Sequence, residues 1–181
     1  MWNMLNGMQM IRKPEKGTYP EYFDRYIQLV PDEIDVLNYL EDQGKRFVAF
    51  LTTEVMPVSQ FAYETGKWTS QEMLGHLSDT ERILSYRAFF IARGDDQNLP
   101  GFEQDDYVRS GEFMNREFKD MIVEFSLLRS NTVQLFKTFP LPLYERKAKI
   151  NGFDTALGAM PYIIAGHVAH HESVLNEIYL A

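Results

Sequence analysis

The sequence predicts an all-α fold, a four-helix bundle with long connections and an N-terminal arm. Apolar residues recur at helical spacing in four segments, near 32–52, 69–93, 110–138 and 155–179. Each segment is bounded by stop signals, and no alternation of period two runs long enough for a useful strand. Four long helices with linkers between them read as a bundle, whose interior is where inward-facing side chains build metal sites.

Residues 1–31 carry Pro14, Gly17, Pro20 and Pro31 among Tyr19, Tyr22, Phe23 and Tyr26. They read as an arm with one short helical turn that lies on the body, its aromatics serving packing rather than ligand binding. Residues 32–181 are then the bundle domain. Pro31-Asp32 opens the first helix, with Ile34, Leu37, Leu40, Phe47, Val48 and Leu51 at helical spacing to about Thr52 and Gly44 as a mild flaw. A loop covers 54–67. Thr69 and Glu72 then form a capping box flanked by Trp68 and Met73 in the staple positions, so a helix must begin there.

Leu74, Leu77, Leu84, Ala88 and Ile91 trace the core stripe of this second helix, which Arg93-Gly94-Asp95 ends. His76, Thr80, Ile83 and Arg87 form an adjacent, mixed stripe. The acidic connection 94–107, with Phe102 in its middle, suits a binding loop or a solvated crossover. Phe113, Phe118, Ile122, Phe125, Leu128, Leu135 and Phe136 mark a third helix from Ser110 to Thr138, stopped by Phe139-Pro140-Leu141-Pro142. Residues 143–153 are a second connection, and Asp154 or Thr155 can cap the last helix.

Composition narrows the function. A chain of 181 residues with 45% apolar content is one globular domain. A formal net charge of −8 repels polyanions and argues against nucleic-acid binding. No run of 18 apolar residues exists to span a membrane, and Met1 to Ile11 lacks the basic start of a signal peptide. Zero Cys removes disulfides, thiolate ligands and a Cys nucleophile together, which points to the cytoplasm. Any thiol chemistry would use a thiol brought by the substrate.

The chemistry-bearing stretch is Gly166-His167-Val168-Ala169-His170-His171-Glu172. His167 and His171 fall one turn apart on the stripe that carries Met160, Ile163, Ile164, Val174 and Ile178. Burying an unsatisfied polar ring costs roughly 1–3 kcal/mol, so such a pair needs a partner. A divalent metal is one partner; facing hydrogen-bonding side chains are the other. His170 lies to the side as a flank. The four histidines all fall on the second and fourth helices, and if those helices face each other His76 completes a three-His set that binds Zn²⁺, Ni²⁺ or Fe²⁺ with positions left open. The alternative for His76 is a hydrogen bond to a nearby carboxylate. Asp79, Glu81, Arg87 and Glu172, close in sequence to these rings, are acid/base or orienting candidates, with a solvated face or an intrahelical ion pair as the competing reading.

KWTSQEMLGHLSDTERILSYRAFFIARGD (67–95), LPGFEQDDYV (99–108) and YIIAGHVAHHE (162–172) together resemble the DinB/YfiT-like superfamily of helical-bundle metal-dependent proteins. The resemblance implies a DinB-like four-helix bundle in which His76, His167 and His171 hold a divalent metal, zinc or nickel first, iron or manganese next. It also implies a homodimer and a small-molecule thiol or other small substrate. The function expected from it is a metal-dependent enzyme that activates a thiol or water, S-transferase-like or hydrolase-like. The alternative is a non-enzymatic, metal-stabilised dimeric bundle that binds a small ligand or partner.

Overall fold

Four long helices form the body of the computed structural model, which describes residues 4–5 and 8–181. The parts of the predicted arm and of the leader reading that fall on residues 1–3 and 6–7 lie outside the described residues. Two-residue strands β1 (Met4–Leu5) and β2 (Met8–Gln9) pair antiparallel, and after a 3₁₀ turn at Glu21–Phe23 comes the short helix α1 (Asp24–Ile27). The long helices are α2 (Val36–Phe50), α3 (Ser70–Arg93), α5 (Phe118–Lys137) and α6 (Met160–Val174), with α4 (Gln104–Gly111) on a connection. Both α2 and α3 pack against α5 and α6, so α2 stands diagonal to α3 and α5 to α6, and the connections within those two pairs must cross the bundle. Among the described residues no helix is long and apolar enough to cross a membrane.

The predicted boundaries of the second helix hold, and those at the start of the first and third helices move. Thr69 accepts from the Glu72 amide while Glu72 accepts from the Thr69 amide, and Gly94 ends α3 in the left-handed conformation at φ 76°. The first long helix starts at Val36 rather than Asp32, because the Asp35 carboxylate takes the amides of Leu37 and Asn38. It also runs past Thr52, through a π-helical turn at Leu51–Val55. The third helix does not begin at Ser110: α4 ends at Gly111, Glu112 turns left-handed at φ 46°, and α5 begins only at Phe118. Phe113 plugs this break against α3 at Gly75, where a Cβ would meet its ring at 2.4 Å. Gln71 Nε2 closes the gap by donating to the carbonyls of Phe113 and Arg116.

The second connection holds a hairpin that the sequence reading excluded. Strands β3 (Lys147–Ile150) and β4 (Phe153–Ala156) pair antiparallel through a turn in which Asn151 and Gly152 are both left-handed. Asp154 and Thr155 therefore lie in a strand and cap nothing; α6 starts at Met160 without a side-chain cap and with Pro161 in its first turn. The hairpin is anchored on both sides. Leu99 N donates to Lys149 O at 3.0 Å, Asn151 N to Leu99 O at 2.7 Å, and Ala156 N to Thr18 O in the arm at 2.8 Å.

Along every long helix a polar position separates two apolar clusters. One cluster holds Leu40, Leu84, Val133, Phe136, Ile163 and Ile164; the other holds Phe47, Leu74, Leu77, Phe125 and Val168. Between them stand Gln43, Glu81, Arg129 and His167, all buried. Gly44 has its reason here, since a Cβ would meet Arg129 Cγ at 2.6 Å. Of the residues predicted on the buried stripe of α6, Val174 is half-buried against the second cluster, whereas Ile178 turns outward and is exposed.

Candidate metal centre

Because α3 packs on α6, the capped start of α3 brings His76 opposite the i, i+4 pair on α6. His76, His167 and His171 each offer a ring nitrogen, and the three atoms lie within 4.8 Å of one another. Ring centroids stand 5.0 Å (His76–His167), 5.1 Å (His76–His171) and 4.7 Å (His167–His171) apart. His76 and His167 are buried and His171 is half-buried. Burial drives all three toward the neutral form. It takes His76 down to about 4 and His171 to about 3, and it lowers His167 well below its ordinary value with help from the neighbouring rings.

Two observations show that these residues fit a divalent ion. His76 Nε2 and His167 Nε2 face each other at 3.1 Å, a separation at which two lone pairs need a proton or a cation between them. His171 Nδ1 is buried with no hydrogen-bond partner, a cost natural structures rarely leave standing. Three neutral imidazoles are also a donor set typical of catalytic zinc, with a position left over. Thr80 Oγ1 lies 3.5 Å from His76 Nδ1 and orients that ring, while Trp68 covers it at 4.9 Å between centroids.

The arm closes the other side. Tyr26 meets His167 edge-on at 5.2 Å and His170 at 5.5 Å. This approach depends on Gly166, where a Cβ would fall 2.0 Å from the Tyr26 carbonyl oxygen. His170 is half-buried beside Tyr26 and outside the three-nitrogen cluster, as its flank position implied.

His76 and His167 form part of the lining of a cavity of about 600 Å³. Its walls come from Tyr22, Phe23 and Tyr26 of the arm, Phe102 to Asp105, the hairpin tip at Ile150, Asn151 and Phe153, and Thr80, Leu84 and Arg87 of α3. The sequence reading gave the arm aromatics to packing, whereas three of them face this cavity. It missed the hairpin tip altogether, although Asn151-Gly152 was the signal that could have found it.

The remaining candidates separate. Arg87 reaches the cavity. Asp79 pairs with Arg82 on the outer face, and Arg82 and Arg116 both hold Glu124. Glu81 points away into the bundle, where Arg129 Nε and Nη2 donate to its two oxygens at 2.9 and 2.8 Å. Neither Asp79 nor Glu81 lines the cavity. Glu172 is half-buried, and burial raises its pKa.

The model of the DinB superfamily matches residues 39–175. Among solved structures, YfiT from Bacillus subtilis, described as a probable metal-dependent hydrolase with an unusual four-helix bundle topology, superposes with a TM-score of 0.67. The two are 17% identical, and the match covers 92% of this chain and 90% of that one. No curated protein matches the chain.

Proposed function

The chain belongs to the DinB superfamily, and on that footing we propose that it is a divalent-metal-dependent enzyme acting on a small molecule held against His76 and His167. One observation carries the reading: three neutral imidazoles converge within 4.8 Å, and two of them line a cavity of about 600 Å³, a size that suits a small substrate. His76, His167 and His171 would hold the ion, with zinc or nickel the first choices and iron or manganese the next. When bound, it supplies Lewis acidity that brings the ionisation of water or a thiol into the neutral range.

The chain's own residues do the rest. Burial keeps the rings neutral at physiological pH, so they are donors rather than cations. Trp68, Tyr26 and the aromatic wall of Tyr22, Phe23 and Phe102 exclude water from around the rings and receive an apolar substrate body. Water is the preferred nucleophile, because YfiT, which shares the fold, is described as a probable metal-dependent hydrolase. A small-molecule thiol is the second choice, on the resemblance of the sequence motifs, and the homodimer rests on the same ground.

The test is elemental analysis of untagged protein followed by turnover assays on a panel of esters, amides and thiol acceptors. The expected result is one metal per chain and activity that disappears with chelation. Metal that stays bound without turnover on any panel would replace the enzyme with a non-catalytic, metal-stabilised bundle, and protein free of metal would overturn the reading.

A further inference from the structure

Arg87 is a buried cation without a carboxylate partner among the described residues. It is 6% exposed, and one terminal nitrogen donates to the Pro100 carbonyl at 2.9 Å. Burying a guanidinium with most of its donors unused is costly, and folded proteins normally supply an ion pair, as Glu81 does for Arg129 less than two turns earlier on α3. Burial correspondingly lowers the Arg87 pKa. The guanidinium instead borders the cavity, with the Phe102 ring 5.8 Å from its central carbon.

We propose that Arg87 is the anion receptor of this cavity and that the substrate is a small carboxylic acid with an apolar body. The inference rests on the reading of the cavity as the substrate site and names the class of molecule it takes. Arginine's planar fork matches a carboxylate through two parallel hydrogen bonds, and with Nη2 partly engaged by Pro100 the other nitrogens remain to make them. Leu84, Ile150, Phe153 and Ile163 supply the apolar lining for the body. Glu21, Glu103 and Asp105 also line the cavity but are exposed at its rim, and their repulsion disfavours a dianionic phosphate more than a monoanionic carboxylate.

The position of Arg87 also orients the substrate. Eleven residues separate it from His76, which at 100° per residue puts both on one face of α3, about 16 Å apart along the axis between their backbones. Arginine side chains on a helix lean toward its N-terminus, which brings the guanidinium roughly a turn nearer His76. The carboxylate therefore sits at the end of the cavity away from the histidines, and the reacting bond lies at the other end of the molecule.

The experiment titrates the full-length protein, as purified, with phenylacetate, with phenyl phosphate and with neutral phenylacetamide, and measures metal content and thermal stability alongside. Phenylacetate is expected to bind, phenylacetamide and phenyl phosphate more weakly. Arg87→Gln should weaken phenylacetate binding roughly 10- to 100-fold while keeping the metal, and Arg87→Lys should recover part of the loss. Without ligand, Arg87→Gln should melt no lower than the parent, because a buried unpaired charge is removed; a merely structural arginine would give a lower melting temperature instead. His171→Ala should lose metal and keep phenylacetate. Unchanged affinity in Arg87→Gln, equal binding of acid and amide, preference for the phosphate, or loss of phenylacetate in His171→Ala alone would overturn the proposal. His171→Ala that keeps its metal would overturn the metal assignment and leave the carboxylate site standing.

Discussion

The Glu81–Arg129–Gln43 cluster and the His76–His167–His171 cluster both bury polar groups where α3 meets its neighbours, yet they are completed differently. In the first, all three guanidinium nitrogens of Arg129 donate, to both oxygens of Glu81, to Leu40 O and to Gln43 Oε1, and Gln43 Nε2 goes on to Ala165 O. Four helices are thereby tied at one level. In the second, two ring nitrogens face each other and a third has no partner. The closed cluster needs nothing more and specifies how the helices register, whereas the open one is compatible with the fold but finished only by a ligand.

Breaking the closed cluster should have the largest effect. Glu81→Ala leaves Arg129 buried and unpaired, and the expected loss is about 3–5 kcal/mol in urea unfolding. The double variant Glu81→Leu with Arg129→Met should recover most of it, since the charge and its partner leave together. A small loss in the single variant would mean that Arg129 reaches water and that the cluster is not closed.

Next in size is the open cluster, which should respond to metal rather than to packing. His76→Ala, His167→Ala and His171→Ala should each strip the ion, since two imidazoles hold it far more weakly than three. Each should also lose the stability the ion confers, about 2.7 kcal/mol when free metal stands at 100 times its dissociation constant. Chelation of the parent should give the same drop and leave the helical content intact by circular dichroism. Unfolding on chelation would show that the ion holds the bundle together and erase the distinction between the clusters.

Acid should sharpen the comparison further. Burial holds His76 near 4 and His171 near 3 against an ordinary 6.5. Below about pH 6.5 the unfolded chain takes up protons that the native rings refuse, so this part of the stability is complete above that value and is lost as the pH falls toward 4. Urea midpoints of chelated protein at about pH 7.5 and about pH 5 should therefore differ, and His76→Ala with His171→Ala should reduce the difference, the share of buried His167 remaining. An unchanged slope in that double variant would place the acid sensitivity elsewhere.

How far these clusters could be read from the sequence depends on which interactions are local. The capping box at Thr69 and Glu72 and the His167/His171 spacing lie within one or two helical turns, and the structure has both. Glu81 was read as an acid/base candidate because its partner stands 48 residues away on α5, and no local pattern joins them. The break at Glu112 escaped for the same reason: a left-handed glutamate has no signature of its own, and it is Phe113 seating against Gly75 that holds it there. The hairpin at 147–156 did carry an Asn-Gly turn, but four-residue strands are too short for alternation to stand out. Arg87 was legible as one stripe with His76, while the missing counter-charge that makes it informative belongs to tertiary structure.

The smallest effect is expected at His170, one residue from a ligand position and outside the cluster. Its ring packs 5.0 Å from that of His171 and 5.5 Å from Tyr26, so it supports the ring next to it without offering a nitrogen to the ion. His170→Ala should accordingly keep one metal per chain, with affinity lowered no more than the 10- to 100-fold typical of groups that position a ligand. It should also keep the α1 contact, because Gly166 rather than His170 sets how closely the Tyr26 backbone approaches α6. Elemental analysis and competition with a chelator read both quantities. If His170→Ala emptied the site while His171→Ala stayed full, the ligand face of α6 would be rotated by one residue, and the open cluster would have to be rebuilt around His170.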